Sequence, residues 1–105
     1  MANGENAAGG SGITPTIFED LLEAGVDVVT MGDHTYRKKE VFDVLDDTDR
    51  LLRPANFPEE AAGRGHTILQ SRSGPCVAVI SLLGWTFMRP INCPFHAANQ
   101  ALLEI

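Results

Sequence analysis

The stretch Thr14-Pro15-Thr16-Ile17-Phe18-Glu19-Asp20-Leu21-Leu22-Glu23-Ala24-Gly25-Val26-Asp27-Val28-Val29-Thr30-Met31-Gly32-Asp33-His34-Thr35 decides the fold. Thr14 is a residue that caps helix starts, and Pro15 tolerates the first helical turn because its missing N–H is not needed there. Ile17, Phe18, Leu21 and Leu22 recur at helical spacing, and Gly25 supplies a C-terminal stop. The β-branched run from Val26 to Met31 then predicts a buried strand, and Gly32-Asp33-His34-Thr35 predicts the turn that follows it. Helix, strand and polar loop in succession form the unit from which layered α/β sheets are built.

Working outward, residues 1–12 hold four of the ten glycines and no large apolar side chain beyond Met1, so they read as a loop. A Gly-rich loop opening an α/β unit ordinarily follows a strand, and only Met1 and Ala2 stand before this one. On the other side, residues 38–46 return to helical spacing through Val41, Phe42, Val44 and Leu45. From Leu51 to Gly65 a short strand and an irregular segment are predicted, because Pro54, Pro58, Asn56 and two glycines interrupt any period. Thr67–Gln70 and Cys76–Leu83 flank Ser71-Arg72-Ser73-Gly74-Pro75 as a hairpin, the second strand apolar enough to be central. Gly84 to Pro90 leaves the sheet. Pro94 opens a last helix whose stripe is Phe95, Ala98 and Leu102. The whole reads as one domain over residues 1–105, a layered sheet flanked by helices, with both ends cut.

Composition bounds the function. The 105 residues are 44% apolar and 21% charged, with 14 acidic against 8 basic side chains and a formal charge of −6. That balance argues against a protein that grips a nucleic-acid polymer through its phosphates, whereas one nucleotide or a small phosphate ester is compatible with it. The apolar run Cys76–Trp85 is about half the ~20 residues that span a bilayer, so no membrane partner is expected and a cytoplasmic location is. Cys76 and Cys93 form no metal-binding pair, and Cys76 at the head of an apolar strand reads as a buried, reduced thiol. Association with further copies of the same chain stays open.

In open α/β sheets, ligand-binding groups gather on loops at the carboxyl ends of strands. Two such loops exist, Asn3-Gly4-Glu5-Asn6 and Gly32-Asp33-His34-Thr35. If a strand missing before Met1 lay beside Val26–Met31, then Glu5, Asn6, Asp33 and His34 would converge. Carboxylates, an amide oxygen and an imidazole suit hard or borderline divalent metals, and two ions roughly 3.5–4 Å apart activate water and stabilise a phosphoryl centre. The plainer reading stands beside it: Asn-Gly and Gly-Asp are turn dipeptides, and Asp33 would cap a helix starting near Tyr36. Ala7–Gly12 reads as a glycine turn more readily than as a phosphate cradle, since it lacks a P-loop lysine. Arg37, Lys38 and Lys39 read as a solvated face, with Arg37 near enough to His34 in sequence to meet an anionic substrate. His66 and His96 read as structural.

The string Ala2-Asn3-Gly4-Glu5-Asn6-Ala7-Ala8-Gly9-Gly10, with Gly12-Ile13-Thr14-Pro15, resembles the bacterial YmdB-like metallophosphoesterases. Leu22–Val28, Gly32-Asp33-His34-Thr35, Lys38-Lys39-Glu40, Leu52-Arg53-Pro54-Ala55-Asn56, Gly63-Arg64-Gly65 and Phe87-Met88 continue the resemblance in family order. It implies a calcineurin-like (αββα) metallophosphoesterase fold truncated at both ends, and hydrolysis of 2′,3′-cyclic nucleotides through two metal ions, iron, manganese or zinc. By the same resemblance Glu5 bridges the ions, Asn6 ligates one, Asp33 stands where the family has a ligating asparagine, and His34 is the catalytic proton donor. An early aspartate and late histidines of the family have no counterpart here, so the metal set is incomplete. The alternative is a catalytically silent fragment or an interaction module that pairs its exposed sheet edge with another chain.

Overall fold

The computed structural model describes residues 1–84 and 92–105; the expected exit from the sheet at 84–90 and the Phe87-Met88 pair fall outside them apart from Gly84. In chain order the elements are β1 (Ala2–Asn3), α1 (Pro15–Glu23), β2 (Val29–Thr30), a 3-10 turn Lys39–Val41 leading into α2 (Phe42–Leu45), β3 (Leu51–Leu52), β4 (His66–Gln70), β5 (Cys76–Ile80) and α3 (Pro94–Glu104). β1, β2 and β3 form a parallel sheet in that order, and β4 and β5 an antiparallel pair. The architecture is mixed α/β with a parallel sheet and helices.

Helix α1 forms as its signals predict. The Thr14 side chain accepts a hydrogen bond from the Ile17 N–H at 3.3 Å, Pro15 takes the first turn, and the helix ends at Ala24. Gly25 follows at φ +103°, a left-handed conformation that costs glycine nothing, and the N–H groups of Gly25 and Val26 reach back to the carbonyls of Leu22 and Leu21. The buried side of α1 centres on Phe18. It meets Ile13, Val29, Met31, Val41, Leu45 and Leu51 in one cluster, with Ile17, Leu21 and Leu22 packed around it. Val29 and Met31 share a sheet face because strand side chains alternate, and Leu51 stands in register with Val29.

Residues 1–12 are not wholly a loop. Ala2 and Asn3 are themselves β1, parallel to β2 in the register Ala2↔Val29 and Asn3↔Thr30. Alanine and asparagine carry little strand propensity, so pairing with β2 rather than local preference makes this strand. The strand expected over Val26–Met31 is shorter, Val29–Thr30. The helical spacing of residues 38–46 does mark a helical segment, which begins at Lys39 after a Lys38 cap with no side-chain hydrogen bond. Asp33 therefore caps no helix.

Arg64 bridges in parallel to Leu52, and the chain runs from there into β4. The β4–β5 turn closes through Ser71 N–H to Pro75 O and Gly74 N–H to Ser71 O, with Gly74 at φ +116°. β5 is not central: β4 is its one strand partner among the described residues, and Val77 and Ile68 are about half exposed. Cys76 is an exposed free thiol and not a buried one. Its apolar neighbours signalled burial, but the strand's faces have little packed on them.

The stripe expected on α3 also faces the other way. Phe95 and Leu102 are 79% and 63% exposed, and the buried residue is Ala101. The small side of the helix lies against the body because small side chains permit close approach. His66 Nε2 stands 3.6 Å from Glu104 Oε2, which ties the end of α3 to β4. No helix among the described residues is long and apolar enough to cross a membrane.

Candidate metal centre

β1 and β2 run parallel, so the loops after Asn3 and after Thr30 leave the sheet at the same end, one strand spacing apart (about 4.8 Å). The Asn3 amide ties the two exits together by donating to Thr30 Oγ1 at 3.3 Å. The Asn3 Oδ1 accepts the Glu5 N–H at 3.1 Å, an Asx turn that bends the chain as soon as β1 ends. Asn3 was legible only as half of a turn dipeptide; its link to Thr30 spans 27 residues and leaves no local mark.

The first loop then closes on itself. Ala7 N–H donates to Gly4 O, Ala8 N–H to Gly12 O, Gly10 N–H to Asn6 O, Ser11 N–H to Ala8 O and Gly12 N–H to Glu5 O. With those donors used inside the loop, the segment is a glycine turn and offers no ring of free N–H groups to a phosphate. Its service to the site is to hold Glu5 and Asn6 at fixed positions. In the second loop Thr35, fully buried, donates its hydroxyl to Gly32 O at 2.6 Å and its N–H to the same oxygen at 3.2 Å. That double clamp presents the His34 backbone toward Glu5.

Three of the four candidate residues meet. The Glu5 Oε1 accepts the His34 N–H at 3.4 Å and lies 3.9 Å from His34 Nδ1. Nδ1 is itself 3.1 Å from Asn6 Oδ1. Asp33 is exposed, and it forms no hydrogen bond or ion pair with the described residues. Arg37 is exposed too, packing its Cβ near Gly12. His66 and His96 line a separate cavity of about 510 Å³ beside α3.

The donors can be tested against a cation on this geometry. The His34 imidazole stands between an amide oxygen at 3.1 Å and a carboxylate oxygen at 3.9 Å, and the carboxylate rests in a hollow over Gly32 that a Cβ would fill, since an ideal Cβ there would stand 2.6 Å from both carboxylate oxygens. Oxygen and nitrogen donors of this kind fit a hard or borderline metal ion. They form a partial shell: among the described residues no group of three or more His, Cys, Asp or Glu side chains is placed to hold an ion. Glu5 and Gly32 also border a cleft of about 600 Å³ whose far wall is the segment Val77–Leu83. The sequence did not single out Gly32; the glycine before Asp33 looked like turn punctuation.

Comparisons with known proteins identify the family. The chain is 48% identical over 104 residues to the 2′,3′-cyclic-nucleotide 2′-phosphodiesterase of Bacillus subtilis (strain 168), covering 99% of this chain and 39% of that protein. A crystal structure of a hypothetical protein from Thermus thermophilus superimposes with a TM-score of 0.90 at 37% identity, covering 98% of this chain and 40% of that one. A crystal structure described as a novel phosphatase from Mycoplasma pneumoniae gives 0.82 at 30% identity, covering 97% and 38%. The chain thus spans about two-fifths of the length of these relatives. The family model described as YmdB-like protein matches residues 1–105, and the chain belongs to that family.

Proposed function

We propose that this chain carries part of the metal centre of a phosphodiesterase acting on 2′,3′-cyclic nucleotides, within a calcineurin-like fold and in the cytoplasm. The observation that carries the reading is the meeting of Glu5, Asn6 and His34 from two loops at the carboxyl ends of adjacent parallel strands. The Bacillus subtilis relative's name supplies the substrate class. Glu5 and Asn6 would hold the metal, iron, manganese or zinc, with Asp33 as a further ligand, and the full site would take two ions. Bound metal supplies Lewis acidity toward a phosphoryl oxygen and an activated water.

The chain's own part in the reaction falls to His34. Asn6 holds its Nδ1, which leaves Nε2 to hand a proton to the departing ribose oxygen. The Glu5 carboxylate, 3.9 Å from the ring, is the counter-charge when the imidazole carries both protons. Asp33 puts a carboxylate where the resemblance expects an asparagine. With metal bound, the extra negative charge of Asp33 would tighten its binding and offset its pull on phosphate, so Asp33→Asn is expected to raise turnover.

A second reading has its own support. The partial donor set among the described residues favours a chain that binds metal weakly and does not turn over. Titration of the purified chain with Mn²⁺, together with hydrolysis of 2′,3′-cyclic AMP, separates the two. Saturable binding lost in Glu5→Gln and retained in His34→Ala, with cyclic-nucleotide hydrolysis lost in both, supports the enzyme. Binding without hydrolysis supports the silent chain, and no binding at all removes the metal reading.

A further inference from the structure

We infer that Gly32 is a positioning residue for the Glu5 carboxylate: its missing Cβ is the seat in which that carboxylate rests. The inference deepens the metal-centre reading above and depends on it for its functional meaning.

An ideal Cβ built on Gly32 would stand 2.6 Å from both Glu5 Oε1 and Oε2 and 2.7 Å from its Cδ. Those separations are far inside van der Waals contact, so any side chain at 32 and the present carboxylate position exclude one another. Gly32 is absent from the glycines with positive φ, and any L-residue can adopt such a backbone. The demand for glycine here is therefore room, not conformation. That contrasts with Gly12 on the facing loop, which stands at φ +82° with an ideal Cβ 2.9 Å from the Arg37 Cβ.

What would give way on substitution is equally defined. The obstructing atoms are the far end of a flexible side chain that is 24% exposed, and it can swing toward solvent. The backbone around Gly32 is held independently by both Thr35 bonds to the Gly32 carbonyl and by the Met31 N–H to Leu52 O. A methyl at 32 thus moves the carboxylate and leaves the fold in place. Its loss from the seat removes the acceptor of the His34 N–H and one donor of the cation shell. A residue that touches no substrate would in this way set the geometry of the one that holds metal, a dependence of the kind that typically weakens metal affinity about 10- to 100-fold when broken.

The test compares Gly32→Ala, Glu5→Gln and the double variant Glu5→Asp/Gly32→Ala in the 105-residue chain, reading Mn²⁺ affinity by calorimetry and the His34 amide by ¹⁵N NMR without metal. The expected result for Gly32→Ala is a cooperative thermal transition close to that of the parent, a shifted His34 amide, and Mn²⁺ affinity weakened about 10-fold or more. The double variant, whose carboxylate is one methylene shorter and clears the methyl, recovers part of that affinity. Unchanged affinity together with an unmoved His34 amide in Gly32→Ala overturns the inference, as does a double variant no better than Gly32→Ala. If the parent binds no Mn²⁺ yet the His34 amide moves in Gly32→Ala as it does in Glu5→Gln, the seat stands and the metal reading alone falls.

Discussion

The Asn6 side-chain oxygen lies 3.1 Å from Nδ1 of His34, joining two loops whose residues are 28 apart in sequence. A carbonyl oxygen can only accept, so Nδ1 carries the hydrogen and Nε2 of the neutral ring keeps its lone pair. The pairing does more than hold two loops together, because it chooses which nitrogen is available for chemistry. Asn6→Leu removes the acceptor, and the neutral ring then populates both tautomers. Imidazole ¹⁵N shifts of the metal-free chain check this. A ring that stays wholly Nδ1-protonated in Asn6→Leu would assign the tautomer to another group.

Gly12 keeps the first loop pressed on the second. At φ +82° it occupies a region that L-residues enter with strain, and its neighbours on the far side are the Arg37 Cβ and the His34 carbonyl. Gly12→Ala meets both obstacles and destabilises the chain by about 1–3 kcal/mol. Urea denaturation measures the loss. The contrast with Gly32→Ala, where a flexible carboxylate yields, is itself the check on the two glycines having different tasks.

Asn56, fully buried, binds the segments on either side of residues 84–91. Its Nδ2 donates to Leu83 O at 2.6 Å and to Asn92 O at 3.0 Å, its Oδ1 accepts the Leu83 N–H at 2.9 Å, and its own carbonyl accepts the Asn92 N–H at 2.9 Å. Asn56→Ala removes the side-chain bonds to the Leu83 N–H, the Leu83 carbonyl and the Asn92 carbonyl and costs about 2–4 kcal/mol. Hydrogen exchange should show that α3 loses protection before the Phe18 core does.

Tyr36 couples stability to alkaline pH. Its hydroxyl donates to Ala62 O at 2.6 Å, and its ring stacks on Phe42 at 5.1 Å between centroids. Burial raises the phenol above its ordinary value of 10.0, against the opposing pull of the Arg53 guanidinium. Because the folded state holds the proton more tightly than the unfolded chain, this contribution is complete below pH 10 and is lost as pH climbs through the raised value. Tyr36→Phe lowers stability at neutral pH by about 1 kcal/mol through the lost hydrogen bond. It also flattens the decline above about pH 10, and denaturation midpoints at about pH 8 and about pH 11 compare the two effects.

Much of the fold was legible because it is written in neighbours. Thr14-Pro15 and Gly25 bound α1, Ser71–Pro75 turns the hairpin, and Pro94 starts α3. These signals act through bonds of three to five residues' reach, which spacing can display. The site was half legible. Glu5, Asn6, Asp33 and His34 were visible as loop residues of the right chemistry, and the family resemblance pointed to the same four. Asp33 read as the equal of the other three, yet in the structure it stands exposed outside their hydrogen bonds.

By itself the sequence determined the local elements, the polar character of both loops and the family. Tertiary structure alone decided that Ala2–Asn3 is a strand, that Cys76 and the Phe95 side of α3 face outward, and that Gly32 seats the Glu5 carboxylate. The division has one physical cause. Periodicity and capping report energies between residues close along the chain, whereas a parallel strand pair or a missing Cβ matters only once residues some 27 to 29 positions apart are brought together.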